Sequence, residues 1–404
     1  MPASFSTGPC PREPGRAGRL ALARQVLPSE LVDRFERGMF RTDGLADAVV
    51  EDFAQLVRGA GWQLLDQALR SRRACVAGAP ASLENMLGPL FDPPSWYDAE
   101  QVRWGAAVWW RFFLANVIGV GGALLGGMKY GDLNKPQAFN GRSVRMAARR
   151  YEETARWVNA ATEPGGPSPG SAGFDETIRV RLVHAMIRRQ LRRDDRWDRV
   201  AWGEPIHTSG MAVTNVAFFV LPVTTFEQLN MKLADEEIEA VRQLWHWIGF
   251  LMGVPDKLLP ATLDHGRQLS QAASLIFAPP DQDSEQLTAA LLTAGVRAER
   301  ALPRPLWSLA APVLRPAASR IVWGLTDSIA KSFDSRTEQA ARTHPVIAAL
   351  RPAVTVREKR RKRGALGTDY DIARRQRAGI NSLLQRIKAT DHPVRPQEAV
   401  TIAR

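Results

Sequence analysis

The stretch TIRVRLVHAMIRRQL, residues 177–191, decides how the fold is read. At about 100° per residue, Val180, Ile187 and Leu191 fall on one side of His184, and Arg181 and Arg188 on the other. That spacing is helical, and one polar, titratable ring stands at the seam of the two stripes. The same period recurs in both directions along the chain.

Upstream, residues 29–70 repeat apolar positions at three and four. PPSWYDAEQ (93–101) reads as a loop end, with Asp98 the N-cap of a helix. The apolar run 106–128, AAVWWRFFLANVIGVGGALLGGM, has the length of a transmembrane span. Arg111, Asn116 and clustered glycines interrupt it, which favours buried helices lining an apolar cavity. EPGGPSPGSAG (163–173) is a surface loop by composition, and PPDQDSEQ (279–286) precedes a helical tail. VAFFVLPVTTF (216–226) carries the one strand signal, and Pro222 interrupts it. No internal repeat is evident. The expected class is all-α: an extended arm over 1–28, a main domain over 29–300, and a helical C-terminal extension with a basic tail over 301–404.

The composition, 45% hydrophobic and 24% charged, belongs to a globular chain. Two cysteines, Cys10 and Cys75, supply neither a disulfide framework nor a zinc cage. Arginines divide every apolar stretch near the N-terminus, so the sequence reads as cytoplasmic. The net charge of +12 is uneven. Segment 351–377 holds ten Lys/Arg against three Asp/Glu, centred on REKRRKR (357–363). A solvated face is the ordinary reading of such a run, and an anionic membrane surface is the other. Without aromatic interleaving or a helix-turn-helix pattern, it is not read as a nucleic-acid site.

Chemistry has few carriers. The six histidines show no HExxH spacing, and no GxSxG elbow occurs. The glycines of 119–127 follow no strand, so they make no dinucleotide fingerprint. His207 suits a helix-capping or structural role, and His246 stands between Trp245 and Trp247, of which at least one must face the core. What remains is His184. An imidazole between an apolar stripe and a guanidinium stripe suits a haem: the ring binds iron, the apolar side packs the porphyrin, an arginine reaches the propionates. A structural histidine in an Arg-rich helix fits the same residues.

Four motifs in order add to this. RVRLVHAMIR (179–188) is followed by Trp202-Gly203-Glu204-Pro205-Ile206, then by LADEEIEAVRQLWHWIGFLMGVPDKLLP (233–260). Upstream, Arg150 and Thr154 stand one helical turn apart. Together, over about 100–290, they resemble the family of the rubber oxygenase (latex-clearing protein) and the fungal oxygenase MpaB. The resemblance implies a globin-like helical core holding a noncovalent haem b, with His184 as the proximal iron ligand. It implies a helix carrying Arg150 and Thr154 over the distal side, and O2 and a hydrophobic alkene as substrates, with 106–128 shaping the channel. Arg179, Arg181 and Arg188 are the expected propionate partners.

Two departures stand out. Where the rubber-cleaving members are expected to have a lysine before the threonine, this chain has Glu153. Glu152 or Glu153 then becomes a candidate general base. An upstream glutamate used as base in the family has no clear counterpart, Asp132 and Asn134 lying nearest. A cytoplasmic location further points to a small isoprenoid or similar lipid rather than polyisoprene. The rival function is a non-catalytic or haem-free helical protein docked on an anionic membrane through its basic tail.

Overall fold

A computed structural model describes residues 15–139, 143–295 and 345–387. Among these, every regular element is a helix, as the sequence implies. The 216–226 segment belongs to a 21-residue helix, α12 (Thr208–Gln228), with Pro222 inside it. α12 has the length and apolarity of a membrane span, yet most of its apolar window is buried in the protein, as in a core helix.

The N-terminal arm expected over 1–28 is corrected. Arg16–Val26 forms a helix, α1, on α2 (Ser29–Met39) and α14 (Leu263–Ile276). Its glycines and arginines mask a helical stripe: Leu20, Ala23 and Leu27 are all buried. Residues 1–14 and 296–344 lie outside the described residues.

The 106–128 run is two helices. α6 (Ala99–Trp109) starts at Asp98, whose carboxylate accepts from the backbone N–H groups of Glu100 and Gln101. It stops at Trp110, and α7 (Phe113–Gly127) begins after a break at Arg111. Arg111 is 1% exposed, with Nη2 2.6 Å from Glu237 and 2.7 Å from Asp369. That pairing is what makes a guanidinium tolerable there. α7 crosses α12 where Gly119 meets Pro222: a Cβ on Gly119 would stand 2.8 Å from the proline ring. Proline donates no hydrogen bond to be broken there, and glycine lets the backbones touch.

α6 packs along α13 (Asp235–Leu251) and α7 along α12. Between them Trp109 lies 5.8 Å from Trp245, which stacks on Phe218 at 5.3 Å. Trp245 and Trp247 are both fully buried, one step beyond the expectation that one of them faces the core. α9 (Ser143–Ala161) and α10 (Ala172–Leu191) form an antiparallel hairpin across the loop 162–171. Trp247 anchors that loop by donating to the Pro167 carbonyl at 2.8 Å. α10 rests on α3 (Gly44–Phe53), α9 and α13. At the far end, α16 (Pro345–Lys362) and α17 (Asp369–Ile387) close over α6, α7 and α12.

Candidate active site

α10 has two unlike faces. Thr177, Ile178, Arg181, Leu182, Ala185 and Arg188 are buried, whereas Val180, Val183, His184 and Ile187 are half-buried. The buried face is held by charge. Asp43, the N-cap of α3, pairs with Arg181 at 2.6 Å; Asp47 takes Arg188 at 2.7 Å and Arg192 at 3.0 Å. Beyond them Arg189 reaches Glu51 at 2.9 Å. Acids four residues apart on α3 thus form a stripe opposite the arginine stripe of α10. Arg179 reaches Asp66 of α4 (Ala60–Ser71) at 2.8 Å.

The three expected propionate partners are engaged to different degrees. Every nitrogen of Arg181 is engaged, Nη1 donating to the Leu251 carbonyl, and Arg179 is drawn to Asp66. Arg188 differs: its Nε is held by Asp47, while its Nη2 is buried without a hydrogen-bond partner among the described residues. Burial pulls the Arg188 guanidinium below its usual range, against the attraction of Asp47 and Asp43. Arg188 lies one turn from His184.

The MGVPDK stretch completes the buried face. Gly253 ends α13 at φ +78°, and a Cβ there would stand 2.3 Å from Asp43 Oδ2 and 2.8 Å from Arg181 Nε. Only glycine both turns the chain and leaves room for the ion pair. The WGEPI segment is a second brace: Glu204 N–H donates to the Met39 carbonyl at 2.9 Å, and the Glu204 carboxylate holds Arg192 at 2.9 Å.

His184 stands on the half-buried face of α10, with Val180, Val183 and Ile187. Trp157 of α9 donates to Thr177 Oγ1 at 3.0 Å, fixing the register of the hairpin. Arg150 and His184 each lie seven residues from that bond on antiparallel helices, so both sit about 10 Å along from it. Thr154 comes level with Val180, one turn away. Arg150 lies on α9, but its side chain is outside the described residues. Of the adjacent acids, Glu152 is buried and holds Arg156 at 2.6 Å, while Glu153 is half-buried. The sequence thus brings Arg150, Glu153, Thr154 and His184 onto one hairpin. A single imidazole holds a metal firmly only when the other ligands arrive with the metal, as in a porphyrin. His184, its half-buried apolar neighbours and the spare donor of Arg188 fit that requirement.

Two other candidates lie elsewhere. His207 caps α12, its Nδ1 accepting from Gly210 N–H at 2.9 Å, and burial pulls its pKa down to about 3. With Nδ1 accepting, the ring proton sits on Nε2, which is buried without a hydrogen-bond partner among the described residues. Asp132, on α8 (Gly131–Ala138), is 3% exposed and accepts from Ala278 N–H at 3.2 Å. Burial lifts its pKa to about 6, against the fields of Arg19 and Arg16. Asn134 is fixed to the Met128 carbonyl and to Ser284. These residues secure α8, α12 and α14 under α1.

The chain matches the family described as ER-bound oxygenase mpaB/B'/rubber oxygenase, catalytic domain, over residues 109–356. The chain belongs to this family. It is 24% identical over 251 residues to the rubber oxygenase of Streptomyces sp. (strain K30). That match covers 60% of each protein, so the chain spans about 60% of the length of this curated relative. A solved structure titled latex clearing protein LCP in the closed state superposes with a TM-score of 0.58 at 22% identity. It covers 84% of this chain and 91% of that one, which establishes a shared helical fold. Sequence reasoning reached the family's helices but missed Asp43, Asp47 and Asp66. For Asp43 and Asp47 the four-residue rhythm they share with Glu51 was the available signal.

Proposed function

We propose that this member of the rubber oxygenase/MpaB family is a haem b-dependent oxygenase acting with O2 on a hydrophobic lipid alkene, splitting a carbon–carbon double bond. The observation that carries this is the two-faced α10: its arginines are drawn to α3 and α4, leaving His184 on a half-buried apolar face opposite α9.

The imidazole of His184 would hold the iron, with Val180 and Ile187 packing the macrocycle and Arg188 Nη2 offering a donor to a propionate. When bound, the haem supplies an iron that activates dioxygen toward the alkene. The protein's own residues do the rest. The apolar helices α7 and α12 would hold a hydrocarbon chain and exclude water. Thr154 offers a hydroxyl donor and Arg150 a cation on α9. Glu153, half-buried on α9, is the carboxylate assigned to take up an allylic proton at its side-chain oxygen.

The test is oxygen uptake by haem-loaded protein with a panel of isoprenoid, unsaturated fatty and polyisoprene substrates, products being analysed for new carbonyl groups. Uptake with one alkene class and carbonyl products is expected. Glu153→Gln should lower turnover on the order of a hundredfold, as loss of a general base does. Loaded protein that consumes no oxygen with any alkene would overturn the assignment.

A further inference from the structure

The basic run 357–363 does not behave as one unit in the fold. Its inward half is docked, and Arg361 within it is paired with acids. Val354 is buried with Phe112, Ala115, Phe226, Leu229 and Met231, where α16 meets the start of α7 and the end of α12. Arg357 lies 5.3 Å over the Phe112 ring and donates to the Arg111 carbonyl. Arg361 pairs with Glu358, which is itself buried, and approaches Asp369 at 3.7 Å.

The outward half has no such partners. Lys359, Arg360, Lys362 and Arg363 are all exposed, and none forms an ion pair among the described residues. Arg374 and Arg375 on α17 are exposed as well, Asp371 reaching only Arg374. Like charges three and four residues apart destabilise an isolated helix. The C-terminal dipole of α16 offsets part of that repulsion, but four cations in one turn and a half exceed what it compensates. Val356 is 60% exposed and shares the stripe of Arg360 and Arg363.

We propose that this outer face of α16 and its turn is a docking surface for an anionic lipid bilayer. A flat cationic face with an exposed valine complements a layer of anionic headgroups over hydrocarbon. The face bears no exposed aromatic side chain on which a nucleobase would stack, which argues against single-stranded nucleic acid. Its inner side seats on the ends of α7 and α12, so docking sets the apolar helix pair next to the bilayer. The binding does not depend on the haem reading; only its purpose, delivery of a membrane-dissolved alkene, rests on it.

The experiment is cosedimentation of the full chain with phosphatidylcholine vesicles, with and without phosphatidylglycerol, at rising salt. Binding should require phosphatidylglycerol and vanish once salt shortens the screening length to a few ångströms. The variant Lys359→Gln/Arg360→Gln/Lys362→Gln/Arg363→Gln should bind on the order of several hundredfold more weakly, since each cation at such a surface is worth about fivefold. A control with Arg58→Gln/Arg70→Gln/Arg73→Gln/Arg193→Gln removes equal charge from other exposed positions, and should bind within a few-fold of the parent. Circular dichroism establishes that both variants are folded. Equal losses in the two variants, binding to phosphatidylcholine alone, or tighter binding to a nucleic acid than to the anionic vesicles would each overturn the proposal.

Discussion

The chain is rich in arginine in two helical regions, α10 and α16, and the fold treats them oppositely. On α10 the arginines meet Asp43, Asp47 and Glu51 at α3 and pair at 2.6–2.9 Å, and Arg181 and Arg188 become part of the interior. On α16 only Arg361 finds acids, Arg357 resting on the Phe112 ring, and the outward cations remain exposed. Arginine density in a sequence therefore says little about what the arginines touch. The decisive fact is whether a carboxylate stripe of matching period lies opposite. Where it does, the charge is spent on structure and the remaining face, here that of His184, is left apolar. Where it does not, the charge stays available to something outside the protein.

The difference can be broken first at its strongest point. Arg181→Ala strands Asp43 in a buried site, and should cost about 3–5 kcal/mol in chemical denaturation, as removal of one member of a buried pair does. Asp43→Leu/Arg181→Met should recover most of that loss. If Arg181→Ala costs under about 1 kcal/mol, the buried face is not held by charge.

Asp132 offers an intermediate case, a buried acid that feels Arg16 and Arg19 without an ion pair to either among the described residues. Folded, it keeps its proton up to about pH 6, against an ordinary value of 3.8. Between those values the folded chain binds the extra proton. The stability this gives is full below about pH 4 and lost as pH rises through 6. Asp132→Asn stays neutral throughout, so it should match the parent near pH 4 and exceed it by about 2–3 kcal/mol at pH 7. Equal stability at both pH values would show that Asp132 is paired after all. The smallest effect belongs to α16: removing Lys359, Arg360, Lys362 and Arg363 together should move stability by no more than about 0.5 kcal/mol, because no partner is lost. A larger drop would place these cations in the structure rather than on its surface.

Much of the architecture was legible locally. The period around His184 gives α10, the Asp98 cap gives the start of α6, and the Gly-Pro-Ser loop gives the turn of the α9–α10 hairpin. α1 was hidden because glycine and arginine dominate a segment whose helical information rests in Leu20, Ala23 and Leu27. The destinations of Arg179, Arg181 and Arg188 were hidden for another reason. Their partners lie over a hundred residues earlier, and nothing on α10 indicates which face will meet them. The proposed site residues Arg150, Glu153, Thr154 and His184 share one hairpin, which their positions in the sequence already imply. Their chemistry was not legible, because a half-buried imidazole looks the same in sequence whether it holds iron or packs.

That distinction is open to one measurement. Purified protein reconstituted with haem b, and His184→Ala treated identically, are compared by visible absorption, with circular dichroism to establish that both are folded. The account predicts an intense Soret band in the parent and its loss or large shift in a His184→Ala protein that remains helical. An identical Soret band in both would contradict it, and would place the iron on some other residue.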